Sequence, residues 1–94
     1  MNEIRLDGTA WQTEGDVYDA LLSALGAPSW HGRNLDALND TLAGNDVNRI
    51  RQPLSIMISG MNVMSAEARE FVERLRQLAV ELRFAGNEVD IVYQ

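Results

Sequence analysis

The chain has 94 residues and a formal net charge of −6, from eight arginines and fourteen acidic side chains, with no lysine. Hydrophobic residues make up 46% of the total, enough for one small core, and the absence of cysteine excludes disulfides and thiolate metal ligands. Because nucleic-acid binding normally requires an excess of basic side chains, this charge argues against a nucleic-acid partner.

The first third of the sequence predicts a strand followed by a helix. Residues 3–6 alternate polar and apolar side chains before a turn that contains glycine. Thr13 and Asp16 have the spacing of a helix-capping box, and Gly26 is expected to end the helix that follows. The core positions of that helix have helical spacing: Val17, Leu21 and Leu25.

A second helix is predicted to begin after Asn34, a favourable N-cap residue. Leu35, Leu38 and Leu42 repeat at helical spacing, and Gly44 is expected to close the helix. The leucines therefore predict one buried side, which leaves the opposite side of the helix facing solvent.

The second half of the chain predicts a buried strand, a long helix and a last strand. Residues 54–59 are apolar on both faces apart from small serines, which is typical of a central parallel strand. Ser65 is expected to start the longest helix and Gly86 to stop it, before a strand around Ile91. The predicted core positions of the long helix are Ala68, Phe71, Val72, Leu75, Leu78, Ala79 and Leu82.

The order of these elements is β-α-α-β-α-β, which predicts an α/β fold. Helical connections between neighbouring strands favour a small parallel sheet with right-handed crossovers. No linker or change of composition divides the sequence, so we expect one domain over residues 1–94.

The sequence offers little catalytic machinery. His31 is the only histidine, the glycines form no phosphate-binding loop, and no serine is singled out for a triad. A metal site built from Asp36, Asp40 and Glu81 is conceivable because hard cations prefer carboxylates, but no loop of alternating Asp and Asn ligands accompanies them. We therefore predict a protein that is not an enzyme and has no cofactor. A metal-dependent hydrolase stays open as a less favoured alternative.

Two like charges lie four residues apart in the second predicted helix. Asp36 and Asp40 project from one face, where their repulsion costs about 0.2–0.5 kcal/mol. The helix dipole stabilises Asp36 in the first turn, but Asp40 lies beyond that turn and has no basic partner at neighbouring helical positions. The small side chain of Ala43 leaves both carboxylates clear of bulky neighbours. A solvated surface and a binding face for a basic partner are both open interpretations.

Trp30 lies in a loop that contains Gly and Pro, directly before the acidic helix. Core packing and an interface role are equally open for Trp30, because tryptophan is enriched among interface hot spots. We expect Trp11, which lies in an earlier loop, to pack in the core. The residues alone predict no more than local hydrogen bonds for His31.

Residues 28–42, PSWHGRNLDALNDTL, resemble the signature of the barstar family, small intracellular inhibitors of microbial guanyl-specific ribonucleases. The family pattern is an aromatic residue, then Gly-x-Asn-Leu-Asp-Ala-Leu and a further Asp. It is matched at Trp30, Gly32, residues 34–38 and Asp40. The resemblance extends over the whole chain in length and element order, including the ending AGNEVDIVY. It implies a three-stranded parallel sheet packed by three to four helices, with the second helix and the preceding loop as the part that binds the partner.

The resemblance also implies how the second helix acts. In the family, this helix enters the ribonuclease active site and its carboxylates take the place of RNA phosphates. By position, Asp36 and Asp40 are the inserted acids, Trp30 contacts the region of the nuclease's catalytic histidine, and Glu81 is an acid near the rim. The predicted partner-binding residues are Trp30, His31, Gly32, Asn34, Asp36, Asn39, Asp40, Ala43, Gly44, Asn45 and Glu81.

The sequence departs from the family pattern at the rim of this surface. Asn39 and Asn45 stand where the best-known member has tryptophans, and His31 stands at an aromatic position. These changes remove apolar contact area but leave the paired carboxylates in place. We therefore expect either a different cognate nuclease or weaker binding.

Taken together, these features predict a bacterial, cytoplasmic inhibitor of a basic, extracellular ribonuclease of the guanyl-specific type, monomeric when free. The first residues lack the pattern of a signal peptide, and the apolar stretches are far shorter than the ~20 residues of a membrane helix. The alternative is an immunity protein or adaptor for another basic protein, such as a nuclease toxin of unrelated fold.

Overall fold

A computed structural model of the chain describes residues 2–26, 34–42 and 52–94, and confirms the predicted α/β fold. The elements, in chain order, are β1 (Asn2–Asp7), α1 (Glu14–Leu25), α2 (Leu35–Leu42), β2 (Leu54–Ser59), α3 (Ala66–Phe84) and β3 (Val89–Tyr93). Within these described ranges, no helix has the length and apolar character needed to cross a membrane.

The three strands form one parallel sheet in the order β1-β2-β3. Ile56 in the central strand pairs with Ile4 on one side and with Ile91 on the other, and all three side chains are buried. Ser55, on the opposite face of β2, is only 7% exposed. Both faces of β2 are therefore covered, as the apolar sequence of this strand predicted.

The predicted helix boundaries are confirmed where the structure describes them. The Thr13 hydroxyl accepts a hydrogen bond from the N–H of Asp16 at 3.2 Å, and the Asp16 carboxylate accepts one from the N–H of Thr13 at 3.1 Å. Gly26, with a φ of 70°, caps α1 in the left-handed conformation that favours glycine. The Ser65 side chain caps α3, and the chain turns out of that helix at Gly86, which has a φ of 94°.

The helices α1 and α3 pack on each other and on the sheet. The rings of Tyr18 and Phe71 lie 4.8 Å apart between their centroids and join the two helices. Trp11 is 7% exposed, which confirms its predicted place in the core. Of the predicted core positions in α3, only Leu78 is partly buried, and the others are fully buried. This core holds the sheet and the two long helices as the support for α2.

Candidate functional site

The N-terminal end of α2 is formed by Asn34, as predicted. The Asn34 side-chain oxygen accepts a hydrogen bond from the N–H of Ala37 at 2.8 Å, and its carbonyl accepts one from the N–H of Leu38 at 3.1 Å. The first bond satisfies a donor that has no partner within the helix itself, and the second is the first i→i−4 hydrogen bond of the helix. The cap fixes the turn of α2 that carries Asp36.

The leucine stripe attaches α2 to the core. Leu38 is 0% exposed and Leu42 is 2% exposed, while Leu35 is partly buried against the same core. An isolated helix of eight residues is barely stable in water. Burial of each leucine side chain contributes about 1.5–3 kcal/mol, so these contacts compensate for that low intrinsic stability. The predicted buried side of α2 is confirmed.

The Asp36 carboxylate is exposed in the first turn of α2. The positive end of the helix dipole stabilises a negative charge at this place. Within the described part of the chain, Asp36 forms no ion pair with an arginine of its own chain. Asn39, the next predicted contact residue along the helix, is half-buried. The carboxylate at position 36 is thus held by a fixed helix and faces solvent.

Several predicted contact residues lie outside the part of the chain that the structure describes. Asp40 belongs to α2, but its side chain is not among the described groups. The other predicted contacts outside the described residues are Trp30, His31, Gly32, Ala43, Gly44 and Asn45, as is the predicted helix end at Gly44.

The C-terminal end of α2 is held by Gln52, a residue that no sequence pattern singles out. The Gln52 side-chain amide donates a hydrogen bond to the Leu42 carbonyl at 2.7 Å and one to the Asn87 side-chain oxygen at 3.1 Å. The sequence gives no signal for these contacts, because they join residues ten and thirty-five positions apart.

Glu81 lies on the exposed surface of the last part of α3. The residue after it, Leu82, is 6% exposed, and its carbonyl accepts a hydrogen bond from the N–H of Asn87 at 2.9 Å. Asn87 is the same residue that contacts Gln52. A short chain of hydrogen bonds therefore connects the end of α2 to the turn of α3 that carries Glu81.

The described side chains of α2 present one exposed carboxylate, that of Asp36. No group of three metal-ligating side chains occurs within residues 2–26, 34–42 and 52–94. An open groove of about 540 Å³ lies between α3 and β3, and another of about 550 Å³ lies beside α1. Neither of these two grooves is lined by a residue of α2. An exposed acid on a fixed helix can pair with cationic groups of a partner protein.

A family model described as "Barstar (barnase inhibitor)" matches residues 1–94, the whole length of the chain. No curated protein matches the chain.

Proposed function

Since the chain belongs to the barstar family, we propose that it inhibits a ribonuclease by placing α2 and the preceding loop in the nuclease active site. The single observation that carries this proposal is the exposed Asp36 carboxylate on a helix whose opposite side is fixed in the core. A carboxylate held in this way can take the place of an RNA phosphate among the cationic groups of the enzyme.

The mechanism that we propose is electrostatic substitution. A ribonuclease active site must bind the negative RNA backbone, so it presents basic side chains at a defined spacing. Asp36 supplies one negative group, and Asp40, four residues later in α2, is proposed to supply the second. The repulsion between two such acids is relieved when basic groups surround them. Inhibition then consists of occupying the site, with no chemical step.

The remaining contacts of the proposed interface lie around these acids. Trp30 is proposed as an aromatic contact to the enzyme, and Glu81 as an acid at the rim. Asn39 is half-buried and contributes less apolar area than an aromatic residue would. A nuclease with a smaller or more polar rim therefore fits this surface best.

The partner that we propose is a basic, extracellular microbial ribonuclease of the guanyl-specific type. The test is titration of the chain into barnase and a panel of related enzymes, with RNA cleavage as the readout. We expect stoichiometric loss of RNA cleavage with at least one enzyme. Asp36→Ala should weaken this inhibition. Glu70→Ala, which removes an exposed acid of α3, should leave the inhibition unchanged.

If micromolar chain leaves RNA cleavage unchanged with every enzyme of the panel, the ribonuclease partner is wrong. Capture of a different basic protein, such as a nuclease toxin of unrelated fold, would then favour the role of an immunity protein or adaptor. A cytoplasmic location and a monomeric free state are parts of the same proposal, tested by fractionation and by light scattering.

A further inference from the structure

Gln52 lies where three elements meet: the end of α2, the start of β2 and the turn between α3 and β3. Its side-chain nitrogen donates to the Leu42 carbonyl and to the Asn87 side-chain oxygen, at 2.7 and 3.1 Å. Its side-chain oxygen accepts a hydrogen bond from the N–H of Glu88 at 2.9 Å. The amide thus uses both of its N–H groups and its oxygen in contacts within the protein.

The contact with Leu42 closes the C-terminal end of α2. The last four carbonyls of a helix have no partner within it, and Leu42 is the final residue of α2. Its side chain is buried and its carbonyl is held by Gln52, so both parts of this residue are fixed. Together with the Asn34 cap, α2 is held at both ends.

The contact with Asn87 extends this attachment to α3. The backbone N–H and the side-chain amide of Asn87 both donate to the Leu82 carbonyl, at 2.9 and 3.2 Å. Leu82 directly follows Glu81. The hydrogen bonds therefore run without a break from the last residue of α2, through Gln52 and Asn87, to the last turns of α3.

We propose that Gln52 is a positioning residue that sets α2 and its acids relative to Glu81 on α3. This inference rests on the proposed function, in which both helices meet one nuclease. Acids on two separate elements match a rigid cationic site only if their spacing is fixed within a fraction of an ångström. Fixing that spacing in the free protein lowers the entropic cost of binding. Gln52 is neutral, so its effect on binding acts through geometry rather than charge.

Two variants separate the contacts of Gln52. Gln52→Met keeps a similar shape and removes every hydrogen bond of the amide. Gln52→Glu keeps an acceptor for the N–H of Glu88, but the carboxylate cannot donate to Leu42 or Asn87 at neutral pH. In both variants we expect dissociation from barnase to be about tenfold faster, the effect of losing about one net hydrogen bond to α2. Amide hydrogen exchange should accelerate in α2 while the interior of α3 keeps its protection.

Two control variants distinguish positioning from a general loss of stability. Gln77→Met makes the same change at an exposed glutamine of α3 and should leave both measurements unchanged. Ile56→Val removes one buried methyl group from β2 and lowers global stability, yet it should leave the dissociation rate of the folded protein unchanged.

The role of Gln52 is refuted if Gln52→Met dissociates from barnase at the wild-type rate, or if exchange in α2 is unchanged. Equal acceleration of exchange in all elements would also refute it, because that pattern means global destabilisation. Failure of the wild-type chain to bind any ribonuclease of the panel, barnase included, is a separate result that counts against the proposed function. Exchange in α2 of the free variants still decides whether Gln52 holds this helix.

Discussion

The side chain of Asn34 and the backbone of Ala37 are joined by a hydrogen bond of 2.8 Å that starts α2. Ala37 is the residue after Asp36, so the bond spans the acid that the proposed function depends on. One local contact therefore orders the first turn of the helix and orients its exposed carboxylate. We therefore expect the stability of α2 and the proposed affinity for a nuclease to be linked through this contact.

Replacement of Asn34 by alanine should weaken α2. Loss of an N-cap side chain costs about 1 kcal/mol, because the N–H of Ala37 then lacks a protein partner. Thermal unfolding and hydrogen exchange of α2 measure the effect, and affinity for the nuclease should fall with it. Asn34→Asp keeps a capping oxygen and serves as the control. An Asn34→Ala protein as protected in α2 as the wild type would show that the cap is dispensable.

Replacement of Asp40 by alanine should weaken nuclease binding far more than replacement of Glu81. If Asp40 is enclosed by the enzyme, its removal leaves cationic groups without a partner and costs about 3 kcal/mol or more. Glu81 is an exposed acid of α3, where ion pairs typically contribute about 1 kcal/mol or less. Dissociation constants measured by calorimetry give the comparison.

Thermal unfolding of the same two variants provides the control for that comparison. We expect neither Asp40→Ala nor Glu81→Ala to lower the melting temperature substantially. An Asp40→Ala protein that unfolds would mean that this acid supports the fold instead of binding a partner.

Association with a basic nuclease should slow as salt is added. The charge of −6 attracts a cationic enzyme over a range that shrinks from about 10 Å at 0.1 M salt to about 3 Å at 1 M. We expect the association rate constant to fall at least tenfold over this interval, with a smaller change in the dissociation rate. Stopped-flow mixing measures both. A rate independent of salt would contradict steering by the charge of the chain.

Acid should weaken the capping box at the start of α1. The N–H groups of Gln12 and Thr13 donate to the Asp16 carboxylate at 2.8 and 3.1 Å and hold its pKa below the ordinary value of 3.8. Because the folded-state pKa is the lower one, this contribution is present above the unfolded pKa. It is lost as the pH falls through the folded pKa.

The Asp16→Asn variant tests this pH dependence. Its side-chain oxygen can still accept hydrogen bonds but does not titrate, so the free energy of unfolding should fall less steeply below about pH 4 than in the wild type. Urea unfolding at a series of pH values measures the slope. If the free energy of unfolding falls equally steeply in the wild type and in Asp16→Asn, Asp16 is excluded as a source of acid sensitivity.

Addition of a methyl group at Gly8 should destabilise the packing between the turn after β1 and the segment that follows β2. A Cβ atom there would lie 2.8 Å from Met64 Cε, 2.8 Å from Trp11 Cε3 and 2.9 Å from the Ser59 carbonyl oxygen. Overpacking of this kind costs about 1–3 kcal/mol, which urea unfolding of Gly8→Ala can measure. A Gly8→Ala protein as stable as the wild type would mean that these neighbours move freely.

Gly86→Ala provides a contrast to Gly8→Ala. A Cβ atom at Gly86 meets nothing within 4 Å, but the φ of 94° is unfavourable for a side chain. The expected loss is about 1–2 kcal/mol and arises from the backbone alone. Unlike Gly8→Ala, this variant should leave the fluorescence of buried Trp11 unchanged.

Local patterns predicted the elements of this fold correctly. Residues 54–59 are observed as β2 at the predicted bounds, and Ser65 and Asn34 begin the helices that they were expected to begin. The leucines of α2 are buried on the predicted side. Each of these features depends on residues within a few positions of one another, whose hydrogen-bonding and apolar periodicity act over short segments.

Contacts between distant segments became visible only in the tertiary structure. The Glu67 carboxylate of α3 accepts a hydrogen bond from the N–H of Glu14, the first residue of α1, across fifty-three positions. Gln52 likewise reaches the C-terminal end of α2 and the turn after α3. Many polar residues could form such bonds, and only the packing of the core decides which of them meet.

The sequence by itself therefore determined the order of the elements, their caps, the buried side of α2 and the acidic residue that it presents at position 36. The tertiary structure decided how α2 is fixed at its far end and how it is connected to the helix that carries Glu81. The physical reason is range: periodicity and capping act over about one helical turn, whereas the placement of one helix against another depends on buried contacts between segments remote in the chain.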